Sequence, residues 1–508
     1  MKRISICLVA TAAVLGAVGV FGRAGGQPLR PAAAVPADAN ERSFDGVRSL
    51  CSGHNQVPVD TANVNLIAND GYTFQGSNKG CATPQNEPSI AVNPLDPGNV
   101  VAGANDFRLC CDADGLNGST GWAYYSKDGG ATWTDVLLPG LTLQTGGKGM
   151  FKRFDTAEDP ALAFGADGTV YYANIVFASR SAASGIAVSS SRDGGETWAR
   201  PQLLQFTNDR AVFNDKDWVA VGDGGQVVVT WTTFHADNFV GSSAVRGAIS
   251  TDGGTTWTNP VALSNDRHLH SWGAVPLWAS DGTLYTVFET SRTPDDSHNA
   301  ISVSLYRPQR PLVERDVGRV FDAANCFALN GYLRQTLSGE DFRVSALPSA
   351  SIDPKSQTVA IAWADGERGC KPGAFSGTTD AQVKLAFVHG THSSKPRIVT
   401  GGADKALPAV AYRNGQVVIG YYTRSFAPAN CLYAAKQVCI DYAYTTSTDG
   451  FASEHRLSDG SSNPFEQFDG AFIGDYSSVA IGPDGIAHAV WTDSRGGDQN
   501  IYGQSFMP

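Results

Sequence analysis

Apolar and polar residues alternate along this chain in short runs broken by turn residues. "PSIAV" (88–92), "PALAF" (160–164) and "DWVAV" (217–221) alternate with a period of two, which predicts strands with one buried face. Each leads into a turn such as "NPLDPGN" or "GADG", then a longer apolar run: "NVVAGAND" (99–106), "TVYYANIVF" (169–177), "QVVVTWTTF" (226–234). A third strand ("GWAYYS", "GIAVSS", "RGAIS") runs into an eight-residue segment that occurs three times: "SKDGGATW" (126–133), "SRDGGETW" (191–198) and "STDGGTTW" (250–257). Their starts at 126, 191 and 250 lie 65 and 59 residues apart. A weaker copy, "STDGFASE", begins at 447, which is 197 residues past 250 and equals three periods. The strand pattern without the motif recurs at 275–292, 347–368, 407–425 and 475–495, giving seven copies in all.

Four short strands repeated every roughly 60 to 70 residues predict an all-β, seven-bladed β-propeller. A six-bladed ring is the alternative, should one weak copy be an insertion. The seventh copy ends after "NIYGQSF" with three strands, and "NVNLIAND" (63–70) is expected to supply the fourth and close the ring. The propeller is thus assigned to 63–508. Met1-Lys2-Arg3 followed by an apolar run and small residues predicts a signal peptide over 1–26, with its cleavage site between Ala17 and Ala39. The Pro/Ala/Gly-rich stretch 27–62 is expected to be a linker.

Composition changes the picture in three ways. Gly is abundant (56) and charged residues are sparse (17%), as in strand-and-turn proteins. A formal charge of −11 argues against nucleic acid and anionic membranes as partners. Eight Cys follow the signal segment, an even count that predicts disulfides in an exported protein. Cys431 is expected to pair with Cys439, Cys326 with Cys370, and Cys51 and Cys81 with Cys110 and Cys111. No CxxC is present, which disfavours zinc. His268 and His270 read as loop histidines before they read as metal ligands. No cofactor is expected; a structural Ca2+ stays open.

Every part of SxDGGxTW has a turn-making use. Asp128, Asp193, Asp252 and Asp449 can accept turn N–H groups, the Gly pair permits positive φ, and Trp133, Trp198 and Trp257 can plug a gap between sheets. The motif therefore reads as structural. Because blade strands alternate in direction, these turns share one face with the turns joining first to second strands. The opposite face collects Glu87, Asp159, Asp217, Asp475 and Tyr476 from first-strand starts. Second-strand ends add Asp106, Arg108, Arg180, Glu289, Arg292, Asp365, Arg368, Arg424, Asp493 and Arg495. Two uses fit this set: a polar-ligand site, or Asp–Arg locks between blades.

The three full motifs resemble the Asp-box, or BNR repeat, of sialidase-like propellers. That resemblance implies an active site on the face away from the Asp-boxes. It implies a nucleophilic Tyr, matched by Tyr476 in "DYSSVAIGPDG", a Glu that activates it (Glu289 by position) and a loop acid (Asp112 or Asp114). It also implies an Arg cluster, for which Arg108, Arg292, Arg343 and Arg495 are candidates. The family's "RIP" segment, whose Arg holds the sugar carboxylate, is replaced here by "NEPSI", with Glu87 in the Arg position. The expected function is recognition of a glycan or other polar extracellular ligand by a secreted, monomeric propeller. Glu87, Arg108, Asp159, Arg292, Arg343, Asp475 and Arg495 are the candidate ligand contacts. A sialidase-type glycoside hydrolase and a non-catalytic protein-interaction propeller are the alternatives.

Overall fold

The computed structural model describes residues 63–67, 84–109, 118–235, 242–291, 299–320, 337, 340, 342, 344, 346–366, 381–433, 436–466 and 472–508. The expected signal peptide and linker, Asp112, Asp114, Arg292, Arg343, and all Cys except Cys431 and Cys439 lie outside the described residues.

The fold is a seven-bladed propeller, so the six-bladed alternative is set aside. Innermost strands are Gln85–Val92, Thr156–Phe164, Val212–Val221, His270–Trp278, Ser349–Ile352, Lys405–Arg413 and Ser478–Ile481, which define blades I to VII. Within each blade the strands pair antiparallel in chain order from axis to rim. Two features depart from strict repetition. Blade V splits its outer strand into His392–Ser393 and Arg397–Thr400, both paired to Ala381–His389. Blade VII takes its outer strand from the N-terminal side, where Val64 and Asn65 pair with Gly503 and Tyr502.

Burial explains the sequence pattern. Second strands such as Val100–Asp106 and Val170–Phe177 are buried at every position, because neighbouring blades cover both faces. Outer strands such as Gln202–Thr207 are only half-buried. Among the described residues an apolar cluster fills each of the seven blade–blade junctions, and the one built on Leu66, Val100, Tyr124, Val490 and Ile501 joins blade VII to blade I. Cys431 and Cys439 form a disulfide with Cα atoms 5.8 Å apart.

The SxDGGxTW turns are latches between blades. The Asp128 carboxylate accepts the Thr132 amide (2.8 Å), the Thr132 hydroxyl (2.6 Å) and the Ser126 hydroxyl (2.7 Å). Those bonds, the Thr132 hydroxyl first, hold its pKa down at about 2. The second Gly of each pair presses on the preceding blade. A Cβ on Gly195 (φ +94°) would lie 3.0 Å from Val101, and one on Gly254 (φ +76°) 3.1 Å from Tyr171. Trp198 then packs edge-on to Tyr172, ring centres 5.6 Å apart, in the junction between blades I and II.

Candidate functional site

Each inner strand of blades I, II, III, IV and VI breaks its register near its start, between Asn86 and Ser89, Glu158 and Ala161, Asp215 and Trp218, Trp272 and Val275, and Ala406 and Ala409. The residue inside each bulge has positive φ: Glu87 (55°), Asp159 (54°), Lys216 (51°), Gly273 (67°) and Leu407 (48°). A bulge re-aims its side chain, and here it brings residues from separate blades together at one end of the axis. Leu347 and Tyr476 stand at the matching positions of blades V and VII, in "ALPS" and "DYSS". This is the end away from the SxDGGxTW turns, which bond to the first-to-second-strand turns through Gly129 to Gly98 and Gly253 to Gly225.

Lys216 organises the cluster. Its ammonium lies 2.6 Å from Asp475 Oδ2, and 3.5 Å from both Glu87 Oε1 and Asp159 Oδ2. Blades III and VII stand on opposite sides of the ring, so the Lys216–Asp475 pair spans the axis. Glu87 Oε1 also accepts the Asp475 amide (2.8 Å), and Glu87 Oε2 accepts Asn105 Nδ2 (2.6 Å). The Asn105 carbonyl oxygen in turn accepts the Asp159 amide (2.8 Å), tying blades I and II.

The charges do not balance. Burial, against the pull of Lys216 and with the repulsion of Asp159 and Asp475, pushes Glu87 up to about 8. Burial and the charge of Asp215, against Lys216, raise Asp159 to about 6. Burial also raises Glu158 and Asp217 beside them. Burial alone would lower Lys216, but Asp159, Asp475 and Glu87 hold it raised and charged. Both carboxyl groups are thus raised by burial, Glu87 further than Asp159, so a proton shared by the pair favours Glu87.

Tyr476 and Trp218 complete this end of the axis. Their rings meet edge-on with centres 5.6 Å apart, and the Lys216 ammonium lies 5.4 Å from the Tyr476 ring centre. Both rings are half-buried and, with Gly273, Leu347, Leu407 and Asp475, line a cavity of about 50 Å³. Burial, then the charges of Asp159 and Glu87, raise the Tyr476 phenol well above its ordinary value. It is a neutral hydroxyl there, with no hydrogen-bond partner among the described residues.

The candidate residues divide cleanly. Glu87, Asp159, Asp475 and Tyr476 converge. The largest charge effects on Tyr476 come from Asp159, Glu87, Asp217 and Asp475, whereas Glu289 is buried in blade IV and accepts Asn299 Nδ2 at 3.0 Å. Arg108 is buried, bonded to Asp106 through Nε (2.9 and 3.0 Å) and to Asp135 through Nη1, and stacked 3.9 Å from the Trp122 ring centre. Arg495 is held by Asp493, Asp459 and Asn63. Both guanidiniums thus serve ion pairs away from the axis, and Asp459, just after the outer strand of blade VI, ties Arg495 of blade VII to that blade. Lys216 and Trp218 were missed. The signal for Lys216 was the alignment of "NEPS", "EDPA" and "DKDW", whose second column is the bulge residue.

No family model and no curated protein matches the chain. Solved structures with similar folds include a Hadza microbial sialidase, at 15% identity over 71% of this chain and 66% of that one, with a TM-score of 0.44. A Penicillium chrysogenum α-L-arabinanase matches at 13% identity over 72% and 94%, TM-score 0.44. A Fusarium graminearum α-L-arabinofuranosidase matches at 11% identity over 88% and 98%, TM-score 0.44. At these identities the likeness does not extend to activity.

Proposed function

We propose that this chain recognises a neutral, polyhydroxylated ligand, a glycan or free sugar, at the axial cluster opposite the SxDGGxTW turns. One observation carries the reading: Glu87, Asp159, Lys216, Asp475 and Tyr476, from four blades, are brought to one point beneath a half-exposed aromatic pair. Tyr476 offers a hydroxyl and Trp218 an apolar ring edge, the combination that a sugar's hydroxyls and C–H face require. Three carboxyl groups against one ammonium make the point unfavourable for an acidic sugar. The Cys431–Cys439 disulfide supports export to an oxidising compartment.

Hydrolysis is the second reading, favoured by the Glu87–Asp159 pair, whose pKa values of about 8 and about 6 offer an acid and a base near neutral pH. Binding is preferred because both carboxyl groups are 0% exposed and Lys216 covers them. A glycan array holding neutral and sialylated glycans, run beside a panel of fluorogenic glycosides, tests both. The binding reading expects neutral glycans to be retained without turnover. Retention of sialylated glycans alone contradicts it, and turnover lost in Glu87→Gln moves the assignment to the hydrolase.

A further inference from the structure

On the other side of Trp218 the axis widens. A cavity of about 310 Å³ runs between the inner strands and reaches Val92, Ile352, Arg413 and Ile481, the strand ends that lead into the turns on the SxDGGxTW face. Trp218, Ser349 and Ser477 border both this cavity and the smaller one beneath Tyr476. Its wall contains no Asp and no Glu, in a chain with formal charge −11.

Serine hydroxyls stand in that wall. Ser89, Ser349, Ser351 and Ser478 each use the hydroxyl oxygen to accept an amide of an adjacent inner strand: Leu162 (3.2 Å), Val410 (3.0 Å), Tyr412 (3.0 Å) and Ile90 (3.2 Å). A hydroxyl also carries one proton to donate, and none of these four donates to another described residue. Arg413 stands at the wide end. Its Nε is buried without a hydrogen-bond partner, and its guanidinium forms no ion pair among the described residues. Other arginines of the fold, Arg108, Arg424 and Arg495 among them, are held by two carboxylates each.

Four hydroxyl protons and a guanidinium without an ion pair among the described residues, around a space without a carboxylate, suit an acceptor that carries negative charge. The guanidinium fork fits a carboxylate or phosphate group, and the volume suits a small molecule. We propose that this cavity is a second ligand site, reached from the SxDGGxTW face, that binds a small oxyanion through Arg413 and the serine hydroxyls. It is independent of the axial cluster, whose sign is opposite.

Isothermal titration calorimetry of the full chain with sodium phosphate and with sodium acetate, at ionic strength matched by sodium chloride, tests it. Saturable one-to-one binding of at least one anion is expected, weakened about tenfold or more in Arg413→Gln and less in Arg413→Lys, which keeps the charge without the fork. Ser351→Ala is expected to weaken it several-fold, and Tyr476→Phe to leave it unchanged. Phosphate alone would define a phosphoryl-type site and acetate alone a carboxylate-type site. Absence of saturable heat with both anions, or wild-type affinity in folded Arg413→Gln and Arg413→Lys, overturns the proposal.

Discussion

Lys216 is the only cation touching the axial carboxyl cluster among the described residues, and it is 7% exposed. Lys216→Met would remove the buried charge that faces Asp159 and Asp475. The expected cost is about 3–5 kcal/mol, read from urea denaturation. Glu87 gives the complementary test. Its folded pKa of about 8 lies above the ordinary 4.5, so the folded chain keeps a proton that the unfolded chain releases. Stability therefore falls as pH rises from about 4.5 to about 8. Melting temperature should drop between pH 6 and pH 9 in the wild type, and the drop should shrink in Glu87→Gln, which mimics the protonated form. Equal slopes in both proteins would remove Glu87 as the source. Glu87, Asp159, Asp475 and Tyr476 were legible because strand direction alone assigns them to one face. Lys216 was not, because a bulge places two residues opposite one and breaks the period-2 phase. Alternation pointed to Asp217, and the bulge turns Lys216 to the axis instead. Arg108 and Arg495 were legible in position but not in use, although "DFR" and "DSR" already place an Asp two residues before each guanidinium.

At the scale of the element, glycines of the SxDGGxTW turns differ in what surrounds them. Gly129 has φ +71° with nothing within 4 Å of a Cβ, whereas Gly195 has φ +94° with Val101 at 3.0 Å. Gly129→Ala should cost about 1 kcal/mol, from conformation alone. Gly195→Ala should cost more, about 2–3 kcal/mol, since it also displaces blade I from blade II. Urea midpoints of the two variants check the order, and a reversed order would deny the latch. The turn chemistry was legible letter by letter. That the Trp and the second Gly seal the junction with the preceding blade was not, because contact between repeats is a property of the ring.

For the whole molecule, the repeat period made blade number and strand order legible, since each blade carries the same apolar periodicity. The polar side of the closure was not, because it depends on where Asn63 lies once the ring has closed. Asn63 donates to the Leu457 carbonyl (2.9 Å) and accepts both the Asp459 amide (2.9 Å) and Arg495 Nη1 (3.0 Å), joining the N-terminal strand to blades VI and VII. Asn63→Ala should speed amide hydrogen exchange in Asn500–Phe506 more than in Val227–His235, which lies across the ring. Uniform acceleration would point to global loss of stability instead. The central claim is that the two faces of this ring have different work, with glycan recognition on the face away from the SxDGGxTW turns. Calorimetry with the neutral glycan retained on the array, comparing Tyr476→Ala with Asp252→Ala, tests it most directly. The account predicts that Tyr476→Ala weakens binding about tenfold or more while Asp252→Ala binds as the wild type does; wild-type affinity in Tyr476→Ala, or loss in Asp252→Ala while it stays folded, would contradict it.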